Sequence, residues 1–472
     1  MIRSGLLLLG CNATGSLILL ARNILLARLL PLSDYGAATT FAIVMAAMEM
    51  TSSLALDRYL VQSRDADAPA FRHNLHALQL LRGLLVAVLL FACAGPLARF
   101  LGVPEAAWAY QVLAVVPLAR GLVHMDMFAM QRHGRFVPSA LVPLSGQVCG
   151  LLAAVPLALW LGDYRAMLWS ILMQEGVLLV ASHMVATRRW SVRLDPAVFM
   201  RALGFGWPLM INGLLIFAIF YGDRMIVANQ FGPTELAWFG AAFTITLTPT
   251  LVLAKSMHTL LLPSLAARWR SRDGFRPLAY MTVEVAIAFG LALALGFALV
   301  GQPVFTALFG RAFDPALELL IWLSLMQGVR VAKAGPSTIA VACGATRNPM
   351  FANLARVAVV PVAWLAVANG AGLIDLAKIA LAGETVALAL SLTLALRTIG
   401  APVRPLLPAF ALALAAMVMI GFVGLGADAG LGIAHLAAVA LVVVMVWRIH
   451  GLAAWVAERF GLRRPAPRLS GA

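Results

Sequence analysis

The chain has 472 residues, 62% of them hydrophobic and only 12% charged, and a mean hydropathy of +0.92. A soluble domain cannot bury that much apolar surface, which leaves an all-α polytopic membrane protein as the class. The formal charge of +15 does not indicate a nucleic-acid partner, because the arginines recur in loops between apolar runs, the pattern of membrane orientation.

A crossing takes about 20 residues. On that scale the sequence predicts spans near 5–29, 36–56, 75–98, 107–130, 138–161, 166–187, 203–228, 234–262, 278–300, 315–341, 349–369, 373–396, 405–425 and 430–449, about fourteen in all. The first apolar run continues for a full span without a small-residue cleavage site, so no cleavable signal is expected. No interval between spans is long enough for a soluble domain. Cys11, Cys93, Cys149 and Cys343 stand singly in apolar runs, without metal or redox spacing, and are expected to be packing residues.

Loop charge sets the expected orientation. Arginines gather after spans two (Arg58, Arg64, Arg72), four (Arg132, Arg135), six (Arg188, Arg189, Arg193, Arg201), eight (Arg268, Arg270, Arg272, Arg276), ten (Arg347) and twelve (Arg397, Arg404), and in the tail. The alternate loops, such as Ser33-Asp34-Tyr35 and Gly232-Pro233-Thr234-Glu235, are short and poor in base. Both termini are therefore expected on the cytoplasmic side.

The stretch 207–245 repeats the layout of 5–43. An apolar helix carrying a charged group is followed by a short turn and then a second apolar helix, with Asp34 and Glu235 closing turns 201 positions apart. The long basic loop 188–201 separates two sets of six spans that run in the same direction, as in a parallel repeat. The expected organisation is an N-terminal six-helix bundle (1–190), a second six-helix bundle (197–397), two additional transmembrane helices (405–450) and a basic cytoplasmic tail (451–472).

No enzyme signature is present: no Walker loop, GxSxG or HExxH. No cofactor or metal is expected. What distinguishes the chain is polarity inside its spans. A mid-span Arg, Lys or Asp costs roughly 2.5–3.5 kcal/mol on insertion scales, and such residues face a bundle interior or a wet cavity. Span one carries Asn12, Ser16 and Asn23 on one stripe beside Arg22, and Glu49, Ser53 and Asp57 recur at i, i+4, i+8 in span two. Arg120 and His124 lie one turn apart in span four, where His124 and Asp126 point to different faces of the helix. Lys255 and His258 lie in span eight, Gln327, Arg330 and Lys333 in span ten, and Arg356 in span eleven. Acids inside the spans are fewer, chiefly Glu49, Glu175, Asp223 and Glu384. Pairing cannot neutralise every base, and uncompensated cations at mid-depth imply an anionic ligand. The acids are either partners of those bases or sites for a coupling cation or proton, and the sequence leaves both options open.

The turn LLARLLPLSDYGAAT, the AMQRHGRF loop after span four and FYGDRMIVANQFGPTELAWFGAAFT after span seven resemble the polysaccharide-transporter branch of the multidrug/oligosaccharidyl-lipid/polysaccharide exporter superfamily, which contains the O-antigen (Wzx-type) flippases. The resemblance covers roughly residues 5–397. It implies two bundles around a cationic cavity and alternating access driven by an ion gradient or membrane potential. The implied cargo is an undecaprenyl-pyrophosphate-linked oligosaccharide crossing the bacterial inner membrane. It also implies the lipid bilayer, a coupling ion and polysaccharide polymerase machinery as partners. Arg22, Arg120, Lys255, His258, Arg330, Lys333 and Arg356 match the cationic cavity in type, and Glu49, Glu175, Asp223 and Glu384 are the candidates for cation or proton coupling. The thirteenth and fourteenth spans resemble the extra pair of lipid II flippases, which makes a peptidoglycan-precursor flippase the alternative. A multidrug/cation antiporter of the same fold would favour acids and aromatics where this chain places bases. A membrane glycosyltransferase or polymerase would need a sizeable external loop, and the longest expected, about 300–314, is short.

Overall fold

The computed structural model describes residues 2–63, 65, 68–271, 274–425 and 433–448. Among these there is no β-strand. The helices run in chain order as α1 (Ile2–Leu29), α2 (Leu32–Ser52), α3 (Leu56–Gln62), α4 (Pro69–Phe100), α5 (Ala107–Leu113), α6 (Val115–Leu122), α7 (Asp126–Arg132), α8 (Val137–Leu161) and α9 (Arg165–Met184). They continue as α10 (Pro196–Gln230), α11 (Pro233–Ser271), α12 (Phe275–Phe309), α13 (Leu317–Ala342), α14 (Arg347–Ala368), α15 (Leu373–Ile399), α16 (Leu407–Leu425) and α17 (Ile433–Arg448). Eleven described helices are long and apolar enough to cross a membrane, or twelve if the pair bent by 44° across 122–126 is one span. Each expected span falls on helix, but α17 has only 16 described residues. The tail 451–472 lies outside the described residues. Large apolar side chains such as Leu159 and Trp160 stand 72% and 81% exposed on the surface, which is stable only in contact with lipid.

The structure corrects three local readings. The expected span 107–130 is not one helix: it breaks between α6 and α7, so His124 lies in the break and Asp126 begins the next helix. The freed backbone groups are satisfied from the side, as a break at membrane depth requires. Gln79 donates to the carbonyls of Arg120 (2.6 Å) and Val123 (3.2 Å), and His76 Nε2 accepts from the Met125 amide at 3.2 Å. The Glu49–Ser53–Asp57 stripe is also interrupted. α2 ends at Ser52, and Ala55 takes a left-handed conformation (φ +47°) that re-aims the chain into α3. Finally, the basic loops are shorter than expected. α10 begins at Pro196, where Asp195 accepts from the Ala197 amide as N-cap, and α11 reaches Ser271.

The chain forms two compact units: one comprises 1–244, 306–316 and 360–376, and the other 245–305, 317–359 and 377–472. In the first unit α10 lies against α2 along glycine seams. A Cβ on Gly36 would sit 1.7 Å from the Pro233 carbonyl oxygen, and one on Gly213 would sit 1.8 Å from that of Met50. Backbones approach this closely only where side chains are absent, the usual basis of helix association in lipid. The two corresponding turns of the repeat thus meet directly, Gly36 against Pro233. In the second unit, α13 is buried on nearly every face from Leu319 to Ala340, and α16 packs beside it. A charged residue on such a helix cannot snorkel to an interface and must find its partners inside.

Candidate functional site

Three cations of the second unit converge on one carboxylate. Arg330, on α13, donates through Nε (2.9 Å) and Nη2 (2.6 Å) to Glu384 Oε1, and Lys333, one turn further on, donates to Oε2 at 2.9 Å. Arg356, from α14, brings its Nε to 3.4 Å from Oε1. Gln327 Oε1 accepts from Arg330 Nη1 at 3.2 Å. Glu384 and Arg356 are wholly buried, and Arg330 and Lys333 are 7% and 9% exposed. Gly383 lets α15 approach Val359 of α14, since an added Cβ would stand 3.0 Å from that side chain. This close approach brings Glu384 beside Arg356. Three cationic side chains thus gather at one carboxylate.

The first unit carries a different network. Arg120 on α6 grips Glu175 of α9 with two bonds, Nε to Oε2 at 2.8 Å and Nη2 to Oε1 at 2.9 Å. Its remaining nitrogen reaches Glu49 of α2 at 2.7 Å. Gln174 donates to Glu175 Oε1 at 3.2 Å and accepts from Arg22 Nη1 of α1 at 2.8 Å. The line Glu49–Arg120–Glu175–Gln174–Arg22 runs from a carboxylate 62% exposed at its side chain to one 2% exposed. Two acids and two arginines balance along it. Arg82 adds a cation nearby, and it lines a cavity of about 20 Å³ with Glu49, Ser52 and Arg120.

The expectation of uncompensated mid-span cations therefore needs correction at Arg120, Arg330, Lys333 and Arg356, each of which reaches a carboxylate. Lys255 stands exposed on α11, and His258 Nδ1 lies 3.4 Å from Thr338 Oγ1 of α13. Asp223 is buried in α10 at 2% exposure. The sequence reading missed a further polar cluster at the break in the fourth span. There Asp126 pairs with Arg72 at 3.2 Å and accepts from the Thr187 amide and hydroxyl, both at 2.8 Å. Beside it, the rings of His76, His124 and His183 form a row, 4.9 and 5.4 Å apart. These residues are separated by up to 115 positions, so periodicity within one helix could not have joined them.

Comparison with known proteins places these features. A family profile described as "Polysaccharide biosynthesis protein" matches residues 25–318, more than half of the chain. The succinoglycan biosynthesis transport protein ExoT of Rhizobium meliloti is 24% identical over 312 residues, an alignment that covers 65% of this chain and 62% of that protein. Among solved structures, a lipid II flippase MurJ in an inward closed conformation superposes with a TM-score of 0.72 at 13% identity, covering 97% of this chain and all of that one. An inward-facing multidrug resistance transporter of the MATE family gives a TM-score of 0.67 at 16% identity, over 82% of this chain and 95% of that one. At such identities the two likenesses establish the fold alone, an all-α multi-pass membrane fold. The chain belongs to the polysaccharide biosynthesis protein family.

Proposed function

We propose that this chain is a flippase that moves an undecaprenyl-pyrophosphate-linked oligosaccharide, an O-antigen or exopolysaccharide repeat unit, across the bacterial inner membrane by alternating access. The carrying observation is the convergence of Arg330, Lys333 and Arg356 on Glu384, three cationic side chains gathered at one buried place. The pyrophosphate headgroup is the anionic part of such a substrate, and an arginine fork matches its paired oxygens. Lys255 and His258 extend the basic character along α11. Similarity to a succinoglycan transport protein supports a saccharide cargo. The balanced line from Glu49 to Arg22 suits coupling better than cargo binding, because a proton or cation arriving at the exposed Glu49 would change the pull on Arg120 and, through it, on Glu175. In this reading the two six-helix halves, 1–190 and 197–397, rock against each other with both termini in the cytoplasm.

A second reading, a flippase for a lipid II-type peptidoglycan precursor, is favoured by the likeness to MurJ over 97% of the chain. Both readings are tested by deleting the gene and locating the lipid-linked glycans. The first expects an oligosaccharide intermediate that stays on the cytoplasmic leaflet, reached by a glycan-modifying enzyme only after spheroplasts are permeabilised. Retention of peptidoglycan precursor instead would favour the second reading. Normal export of both would defeat the flippase proposal.

A further inference from the structure

The first unit holds another polar cavity, at the end where α1 turns into α2 and α10 into α11. Its volume is about 40 Å³, and Asn23, Tyr35, Thr39, Arg224 and Thr244 supply its polar lining. Arg224 donates through Nη2 to Thr244 Oγ1 at 3.2 Å, and its guanidinium lies 4.4 Å from the centre of the Phe243 ring and 5.3 Å from that of Tyr221. Its Nε is buried without a hydrogen-bond partner. Tyr35 is 4% exposed, yet among the described residues its hydroxyl makes no hydrogen bond, and neither does the Asn23 amide. Thr39 already donates to the Gly36 carbonyl at 2.7 Å.

The cavity therefore gathers donors that lack acceptors. No carboxylate lines it, and among the described residues none lies within ion-pair distance of Arg224, although Asp223 precedes it in the chain. A cation is excluded by the guanidinium. A sugar ring is excluded by size, since a water needs roughly 10–15 Å³ of such volume, so the space holds about three waters or one small ion. The buried Nε of Arg224 and the buried Tyr35, beside the half-buried Asn23, call for negative charge. We propose that the cavity binds a monatomic inorganic anion, chloride in the cell, held by Arg224, Tyr35 and Asn23. Bound there, the anion ties together α1, α2, α10 and α11, the helices whose turns meet at Gly36 and Pro233. The proposal is independent of what the protein carries.

The purified protein, melted in sodium chloride and in sodium gluconate at equal ionic strength, should have the higher Tm in chloride. The gain should grow with concentration as a ligand's does. Crystals grown in bromide should show an anomalous peak within hydrogen-bond distance of Arg224. Arg224→Met should abolish the chloride dependence. Tyr35→Phe, which keeps the ring contact with Phe313 at 5.7 Å, should raise the half-saturating concentration several-fold without loss of fold. Should Arg224→Met fail to fold, Tyr35→Phe and Asn23→Leu decide the matter. Equal Tm values in the two salts with no bromide density at the site would mean water only and would overturn the proposal. So would a chloride dependence unchanged in the variants.

Discussion

At the scale of single residues, the cluster at Glu384 predicts an asymmetry. Removing one of three cations leaves the carboxylate paired with the other two, whereas removing the carboxylate strands three buried cations together. Breaking a buried pair costs about 3–5 kcal/mol when a charge is left alone. Glu384→Ala should therefore reduce the amount of folded protein in the membrane sharply, as measured by immunoblotting and fluorescence-detected chromatography. Arg330→Ala combined with Lys333→Ala should leave accumulation nearer normal and abolish flipping. Arg330→Lys should restore flipping only in part, because the charge returns without the planar fork. An abundant, fully active double variant would remove the basis for an anionic cargo. The same scale holds the coupling test. Glu49→Gln, Glu175→Gln and Glu384→Gln are each measured for transport against an imposed gradient, and Glu49→Gln is expected to weaken gradient dependence most, since it is the exposed end of its network. Unchanged gradient dependence in all three would reduce these acids to structural partners.

At the scale of elements, the packing of α2 on α10 and on the first residue of α11 has glycines at its closest approaches. Gly36→Ala or Gly213→Ala would place a methyl group inside van der Waals contact of a backbone oxygen, which neither helix can relieve without moving as a whole. Overpacking typically costs about 1–3 kcal/mol, and occasionally more, so each variant should lower the Tm of the purified protein by several degrees. Gly10→Ala, where nothing lies within 4 Å of the added Cβ, should not. The break between α6 and α7 follows the same logic from the polar side. Neither Pro117 nor any turn signal lies at 123–125, so sequence alone continues the helix. The chain departs from helix there because Gln79 and His76, from α4, satisfy the backbone groups that the break exposes.

At the scale of the whole molecule, the arginine asymmetry predicts topology. In a cysteine-free background, a cysteine placed at Thr234 should react with a membrane-impermeant reagent added from outside, and one at Arg189 only after permeabilisation. The reverse pattern would overturn the assigned orientation. The all-α membrane class and the placement of the spans were legible in the sequence, because apolar runs of sufficient length have one stable solution in lipid. The repeat of turn and helix at 5–43 and 207–245 was legible too, as was the set of mid-span charges, since each costs too much to lack a role. Which charges meet was not legible. Glu384 lies 54 positions from Arg330, and only the burial of α13 on nearly every face and the approach of α14 to α15 at Gly383 bring the groups together. The same holds for Gln174, which joins Arg22 of α1 to Glu175 on its own helix α9, and for the groups around Arg224, which come from α1, α2, α10 and α11. Hydropathy is a sum over neighbours in the chain and marks which stretches are apolar enough to lie in lipid. Charge pairing depends on distances across helices, which only the packed tertiary structure decides.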